Sequence, residues 1–222
     1  MKKLCLLAIS YNEEEHIKFW IDNHRKFVDE MMLVDTGSTD RTVEIAKGNG
    51  IKIFSYEWKH DFSKAKNSAL KCCNAKYNPD WIFFLSPDYW VSHEDMVKIR
   101  EAIEINDFDA YKTKHMCHHG DWFGFKDTTI HGGKESGVGH IVLFKNNPSI
   151  FYTGRVHETV NSSLVIASKK IGYLEITRHH DSSEINVEDR QKYYNTLIQI
   201  WNLDDIDDTL RATLDSMRKT IR

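Results

Sequence analysis

The sequence predicts an α/β fold: a Rossmann-like, mostly parallel sheet in the first half, a mixed β-rich second half, and C-terminal helices. Three observations predict it. Short apolar runs alternate with segments of helical period over residues 4–105, the order that a parallel sheet with helices on both faces produces. From Ala110 to Thr177 the apolar runs follow one another with no helical segment between them. Three of the early runs end in polar residues, at Ser10, Asp35 and Ser86 to Asp88, and open parallel sheets bind ligands beyond such strand ends.

The elements follow in order. Leu4 to Ser10 is continuously apolar until its last residue, as a strand buried on both faces is. Ile17, Ile21, His24 and Val28 recur at helical spacing. Met31 to Val34 is a second strand ending at Asp35, and Thr36 to Asp40 is a turn that opens a helix with Ser38 or Thr39 as its N-cap. That helix stops near Gly48-Asn49-Gly50, and Ile51 to Phe54 is a third strand. Ser63 to Cys73 is a short helix, Trp81 to Leu85 a fourth strand, and His93 to Ile105 a helix with Met96, Ile99 and Ile103 on one face. In the second half Ala110 to Met116, His140 to Phe144, Leu164 to Ala167 and Ile171 to Thr177 read as strands. Helices over about 186–201 and 205–221 close the chain, the first with Tyr193, Leu197, Ile200 and Trp201 on one side for core or dimer packing. One α/β unit over 1–183 with a C-terminal helical extension over 184–222 is the economical division. Its halves are 1–108 and 109–183.

Composition excludes several classes. The 222 residues suit one large domain, and a chain this long buries roughly 70% of its unfolded surface without a disulfide or metal staple. A net charge of −3 provides no global field for nucleic acid. The apolar start at Leu4 to Ile9 is too short for a signal peptide and runs straight into Tyr11-Asn12-Glu13-Glu14-Glu15. No apolar run is long enough to span a membrane. Cys5, Cys72, Cys73 and Cys117 form no CxxC pair, so they read as reduced thiols and the expected location is cytoplasmic. The His115, Cys117, His118, His119 cluster matches no structural zinc spacing; a polar loop at the rim of a site, with Trp122, Phe123 and Phe125 packing it down, is the better reading. A dinucleotide oxidoreductase needs a Gly-rich turn after the first strand, where this chain has Ser10-Tyr11-Asn12-Glu13.

Taken together, Ala8-Ile9-Ser10-Tyr11-Asn12-Glu13-Glu14 and Val34-Asp35-Thr36-Gly37-Ser38-Thr39-Asp40-Arg41-Thr42 strongly resemble the family 2 glycosyltransferases of the GT-A fold. Asp61-Phe62-Ser63-Lys64-Ala65-Lys66-Asn67 looks like that family's next signature, and Ser86-Pro87-Asp88 stands in the place of its Asp-x-Asp motif. Gly154-Arg155-Val156-His157-Glu158 resembles the Val-His-Glu element of a bacterial and phage subgroup, with His179-His180 where that subgroup often has a late histidine. The resemblance covers roughly residues 1–181.

It implies a sugar transferred from a nucleotide-diphosphate-sugar, a UDP-sugar in the first instance, to an acceptor hydroxyl by metal-assisted, inverting displacement. The acceptor would be a surface glycan or lipopolysaccharide, a protein, or a modified phage DNA base. Ser10, Asn12, Glu13, Asp35, Lys66 and Ser86 would bind the donor. Asp88 would hold Mn²⁺ or Mg²⁺; His179, or its neighbour His180, would add a nitrogen ligand, and His179 is the one taken here. Glu158 would be the general base, with His157 orienting the acceptor or acting as base itself. Two positions depart from the pattern. Ser86 replaces an aspartate, and Lys66 replaces the commoner arginine, a point charge in place of a bidentate fork. They also support an alternative: a degenerate nucleotide-sugar-binding module without turnover.

Overall fold

The computed structural model describes residues 1–118, 130–131 and 140–181. The expected C-terminal helices, the 184–222 extension and the Trp122, Phe123 and Phe125 loop lie outside the described residues, as does His119. The first half runs β1 (Leu4–Ser10), α1 (Glu14–His24), a 3-10 turn at Arg25–Phe27, β2 (Glu30–Asp35), α2 (Thr42–Gly48), β3 (Lys52–Ser55), α3 (Phe62–Lys76), β4 (Trp81–Phe84), β5 (Tyr89–Val91) and α4 (His93–Ile105). The second runs β6 (Ala110–His118), β7 (Ile130–His131), β8 (His140–Lys145), α5 (Asn161–Ile166) and β9 (Ile171–Asp181). The described strands join one sheet of order β3-β2-β1-β4-β8-β6-β9-β5, with β7 on β6. β3, β2, β1 and β4 are parallel; β8 turns the sheet antiparallel against β4. The expected α/β class, parallel first and mixed second, is what the chain adopts.

The continuous apolar run of β1 is explained by its position. It lies between β2 and β4 with helices on both faces, so every residue from Leu4 to Ser10 is buried. Leu4, Leu6 and Ala8 face a core with Ile17, Trp20 and Ile21 of α1, Ala46 of α2 and Met96 and Ile99 of α4. Cys5, Leu7 and Ile9 face the other core, with Ala65, Ala69 and Cys73 of α3 and Leu164 of α5. Alternate residues of one strand thus bind two helical layers together.

Three details differ from the sequence expectations. Leu164 to Ala167 is not a strand. Asn161–Ile166 is a helix that buries Ser163 and Leu164 and leaves Val165 and Ile166 exposed, so the β-branched pair misled. Ser163 Oγ bonds Phe151 O and Val160 O, which fixes the helix to the preceding segment. The α2 helix is not capped by Ser38 or Thr39. Asp40 accepts from Thr42 N and Thr42 Oγ1 instead, at 2.9 and 2.6 Å. Last, Tyr89–Val91 is a short strand that pairs with the end of β9, which runs on to Asp181.

His24 sits in this frame as a neutral structural group. It is fully buried, its Nδ1–H donates to Trp20 O at 2.7 Å, and its Nε2 accepts from Val91 N at 3.3 Å. Burial lowers its pKa to about 4. The unfolded chain therefore binds the extra proton between about pH 6.5 and about pH 4, and stability is lost as pH falls through that window. Urea unfolding at about pH 7.5 and about pH 5 should show a loss of roughly 2 kcal/mol that His24→Gln lacks; equal pH dependence in both proteins would refute the assignment.

Candidate functional site

The ends of β1 and β2 are stitched together by their own side chains. Asn12, at φ 53°, donates its backbone N–H to Ser38 Oγ, and its Oδ1 accepts from Thr39 N at 2.8 Å. Glu13 N donates to Thr42 Oγ1, Glu14 N to Asp40 Oδ2, and Arg41 N to Glu14 Oε2. The two early motifs are therefore the two halves of one hydrogen-bonded loop pair. Asp35 is buried and turns its carboxylate onto Gly37 N and Ser38 N, with Gly37 at φ 113° permitting the tight turn. Beside it, Ser10 Oγ is buried with no hydrogen-bond partner. A buried hydroxyl and a carboxylate with spare lone pairs at adjacent strand ends make a polar seat for a ligand edge.

Asp88 follows β4. Its Oδ2 lies 3.0 Å from His180 Nε2, and its Oδ1 is buried without a hydrogen-bond partner. The antiparallel register sets Tyr89 opposite His180 and Trp90 opposite His179, so consecutive histidines point to opposite faces of the sheet. His180 stacks on Tyr89 with ring centroids 4.4 Å apart, and His179 stacks on Trp90 at 4.1 Å. The histidine beside Asp88 is thus His180, while His179, the one taken from the sequence, lies against Trp90. Ser86 is half-buried, and its carbonyl accepts from Tyr89 N. Glu13 completes this end. Burial raises its pKa to about 7 against the lowering effect of its 2.9 Å bond to His16 Nδ1, with the Asp88 charge raising it further.

The donor set of Asp88 and His180 fits a divalent cation. An orphaned buried carboxylate oxygen beside an imidazole nitrogen is oxygen-plus-nitrogen chemistry, which suits Mn²⁺ at least as well as Mg²⁺. Among the described residues no group of three or more His, Cys, Asp or Glu is placed to hold a metal. A cation here would take its remaining ligands from water and from a bound diphosphate, as Mg²⁺ and Mn²⁺ sites commonly do.

The third part joins two motifs far apart in sequence. Asp61 caps α3 by accepting from Lys64 N at 3.0 Å and from Ser63 Oγ at 2.7 Å. One turn on, Asn67 bonds both backbone groups of Tyr152: Nδ2 donates to Tyr152 O and Oδ1 accepts from Tyr152 N. Phe62 N donates to Arg155 O. Thr153 and Thr159 exchange two backbone bonds, closing residues 154–158 into a compact loop. Gly154 at φ 93° and His157 at φ 54° carry its sharp bends. This mounting puts Glu158 Oε1 2.6 Å from Lys66 Nζ, while His157 is exposed. Lys66 also lies over the rings of Phe84 and Tyr152, at 4.8 and 5.0 Å. Tyr152 is deeply buried, which raises its pKa well above the usual tyrosine range; the Glu158 charge adds to this and Arg178 opposes it. Arg178 in turn lies 5.6 Å over the Tyr89 ring.

Sequence reasoning assigned no role to Asn67 or Tyr152, and of the two histidines it took His179, whereas His180 is the one beside Asp88. The period-2 alternation of a strand through His179-His180 carried a signal that only one of the two shares a face with Asp88. Nothing in the spacing announced that Lys66 and Glu158 meet.

Comparison with known proteins gives a consistent result. The family model "Glycosyl transferase family 2" matches residues 5–173. A TPR repeat-containing protein of Synechococcus elongatus is 28% identical over 171 residues, covering 74% of this chain and 37% of that protein. Glycosyltransferase SunS of Bacillus phage SPbeta is 27% identical over 157 residues, covering 68% and 33%. The chain therefore spans about a third of the length of these curated relatives. Among solved structures, S. aureus TarS in complex with UDP superposes with a TM-score of 0.61 at 16% identity, covering 93% of this chain and 68% of that one. Glucosyl-3-phosphoglycerate synthase from Mycobacterium tuberculosis, in complex with Mn²⁺, UDP and glucosyl-3-phosphoglycerate, gives 0.61 at 14% identity, covering 92% and 81%. At these identities the structures establish a shared fold.

Proposed function

We propose, from the premise that this chain belongs to glycosyl transferase family 2 and has the GT-A fold, that it transfers a sugar from a UDP-sugar to an acceptor hydroxyl. The observation that carries the reading is Asp88, whose buried, unpartnered Oδ1 and 3.0 Å contact with His180 stand at the end of the parallel half-sheet. Complexes of TarS with UDP and of the synthase with Mn²⁺ and UDP support the choice of donor and cation. We divide the unit as nucleotide-binding over 1–108 and acceptor-binding over 109–183.

In this reading Ser10 Oγ and Asp35 receive the polar edge of the nucleoside. Asn12 positions the loop that carries them. Asp88 and His180 hold Mn²⁺ or Mg²⁺. The bound cation supplies Lewis-acid stabilisation of the charge on the leaving diphosphate. Lys66 adds a second positive charge. Glu158 accepts the proton of the acceptor hydroxyl as that oxygen bonds to the anomeric carbon and the bond to the diphosphate breaks, which inverts the centre. His157, exposed at the bend of the same loop, orients the acceptor. The acceptor is a surface glycan, a protein or a modified phage DNA base. No described helix is long and apolar enough to cross a membrane; a cytoplasmic location is part of the proposal and rests on the cysteine pattern.

The test is thermal unfolding with UDP, GDP, CMP and dTDP, each with and without Mn²⁺ or Mg²⁺. At about 100 times its Kd a ligand adds about 2.7 kcal/mol, a rise of roughly 2–4 °C for a domain of this size. A rise with UDP that grows with Mn²⁺ is expected; no rise with any nucleotide refutes the donor site.

A further inference from the structure

The group read as the base and the cation read as a phosphate ligand are bonded to each other. Lys66 Nζ and Glu158 Oε1 lie 2.6 Å apart, and their side chains are 16% and 15% exposed. This is not a surface pair of flexible ends. Glu158 sits on a loop closed by Thr153 and Thr159 and tied to α3 through Phe62 N and Asn67. Lys66 is boxed by Phe84 and Tyr152, whose ring faces favour a cation. While Oε1 of Glu158 is bonded to the ammonium, that oxygen is occupied and not open to an acceptor hydroxyl.

We propose that Lys66 is a donor-operated latch on Glu158: it holds the carboxylate in the free protein and releases it when the donor diphosphate takes the ammonium. This rests on the reading of the site as a nucleotide-sugar site. The diphosphate carries more charge than one carboxylate, and charge-assisted bonds to phosphate are among the strong ones. The residue type suits the task. An arginine fork would grip Glu158 with two parallel bonds, whereas lysine is a single point charge on a flexible stem that can swing between two anions. The latch orders the reaction, since Glu158 becomes available only after the donor is seated.

The experiment is calorimetric titration of the full chain with UDP and, separately, with uridine, both in Mn²⁺. If Glu158 competes with the diphosphate for Lys66, Glu158→Gln binds UDP roughly tenfold tighter than the wild type, about 1.4 kcal/mol, and binds uridine unchanged. Lys66→Met binds UDP more weakly, and adding Glu158→Gln to it changes nothing further, because there is no ammonium left to contest. Glu158→Asp, one methylene shorter, should move UDP affinity in the same direction as Glu158→Gln and serves if the glutamine variant does not fold. UDP affinity that is unchanged or weakened in these Glu158 variants overturns the latch while leaving the donor site intact. Absence of UDP binding by the folded wild type overturns the donor site itself, so the two failures are distinguishable.

Discussion

Asp88→Ala is expected to abolish the Mn²⁺-dependent part of UDP stabilisation and to lower sugar transfer by on the order of 10²–10³-fold, the usual cost of removing a group that stabilises transition-state charge. The change removes a half-buried carboxylate whose Oδ1 has no partner to lose and whose Oδ2 contacts only His180 Nε2 among the hydrogen bonds described. His180→Ala is expected to follow Asp88→Ala, because its Nε2 is 3.0 Å from the Asp88 carboxylate. His179→Ala is expected to keep the metal response, because that ring lies against Trp90 on the other side of the strand pair. Thermal shifts with UDP and Mn²⁺ on the three variants, followed by donor hydrolysis, decide the matter. Retention of the metal response by His180→Ala and its loss in His179→Ala would restore the histidine chosen from sequence and count against the site as built here.

Trp20→Ala should be the most damaging single change to stability, at about 3–5 kcal/mol. The ring is fully buried between α1 and the sheet, and its Nε1–H donates to Leu85 O at 3.0 Å, one residue before Ser86. Truncation leaves a large cavity and strips that carbonyl of its donor. Against a typical total of about 5–15 kcal/mol, the variant is left marginal at best. Urea unfolding measures it, with Trp20→Phe as the comparison that fills much of the volume but makes no hydrogen bond. A loss below about 1 kcal/mol for Trp20→Ala would be inconsistent with the packing described. The position ties stability to function, since the same hydrogen bond anchors the chain just before the Ser86 to Asp88 segment.

Much of the fold was legible before the structure, and the reason is periodicity. β1 reads as buried because all of Leu4 to Ile9 are apolar, and α4 reads as a helix because Met96, Ile99 and Ile103 share a face; both have the expected bounds. Where a segment is short or its burial is set by distant partners, local pattern fails. Tyr89–Val91 has three residues and is a strand only because the end of β9 pairs with it. Leu164-Val165-Ile166 has β-branched residues yet turns as a helix, because only Ser163 and Leu164 have a core to enter.

The site divides the same way. The residue types and strand ends at Ser10, Asp35 and Asp88 were visible in the chain, since a polar residue that ends an apolar run declares itself locally. The pairings were not. His180 with Asp88, Lys66 with Glu158 and Asn67 with Tyr152 join residues separated in sequence by 92, 92 and 85 positions. Such contacts depend on which strands become neighbours and which face each side chain takes. Sequence set the chemistry that is present; tertiary structure decided which charges neutralise each other, because electrostatic interaction depends on distance in space and on burial, neither of which is a property of a residue's neighbours in the chain.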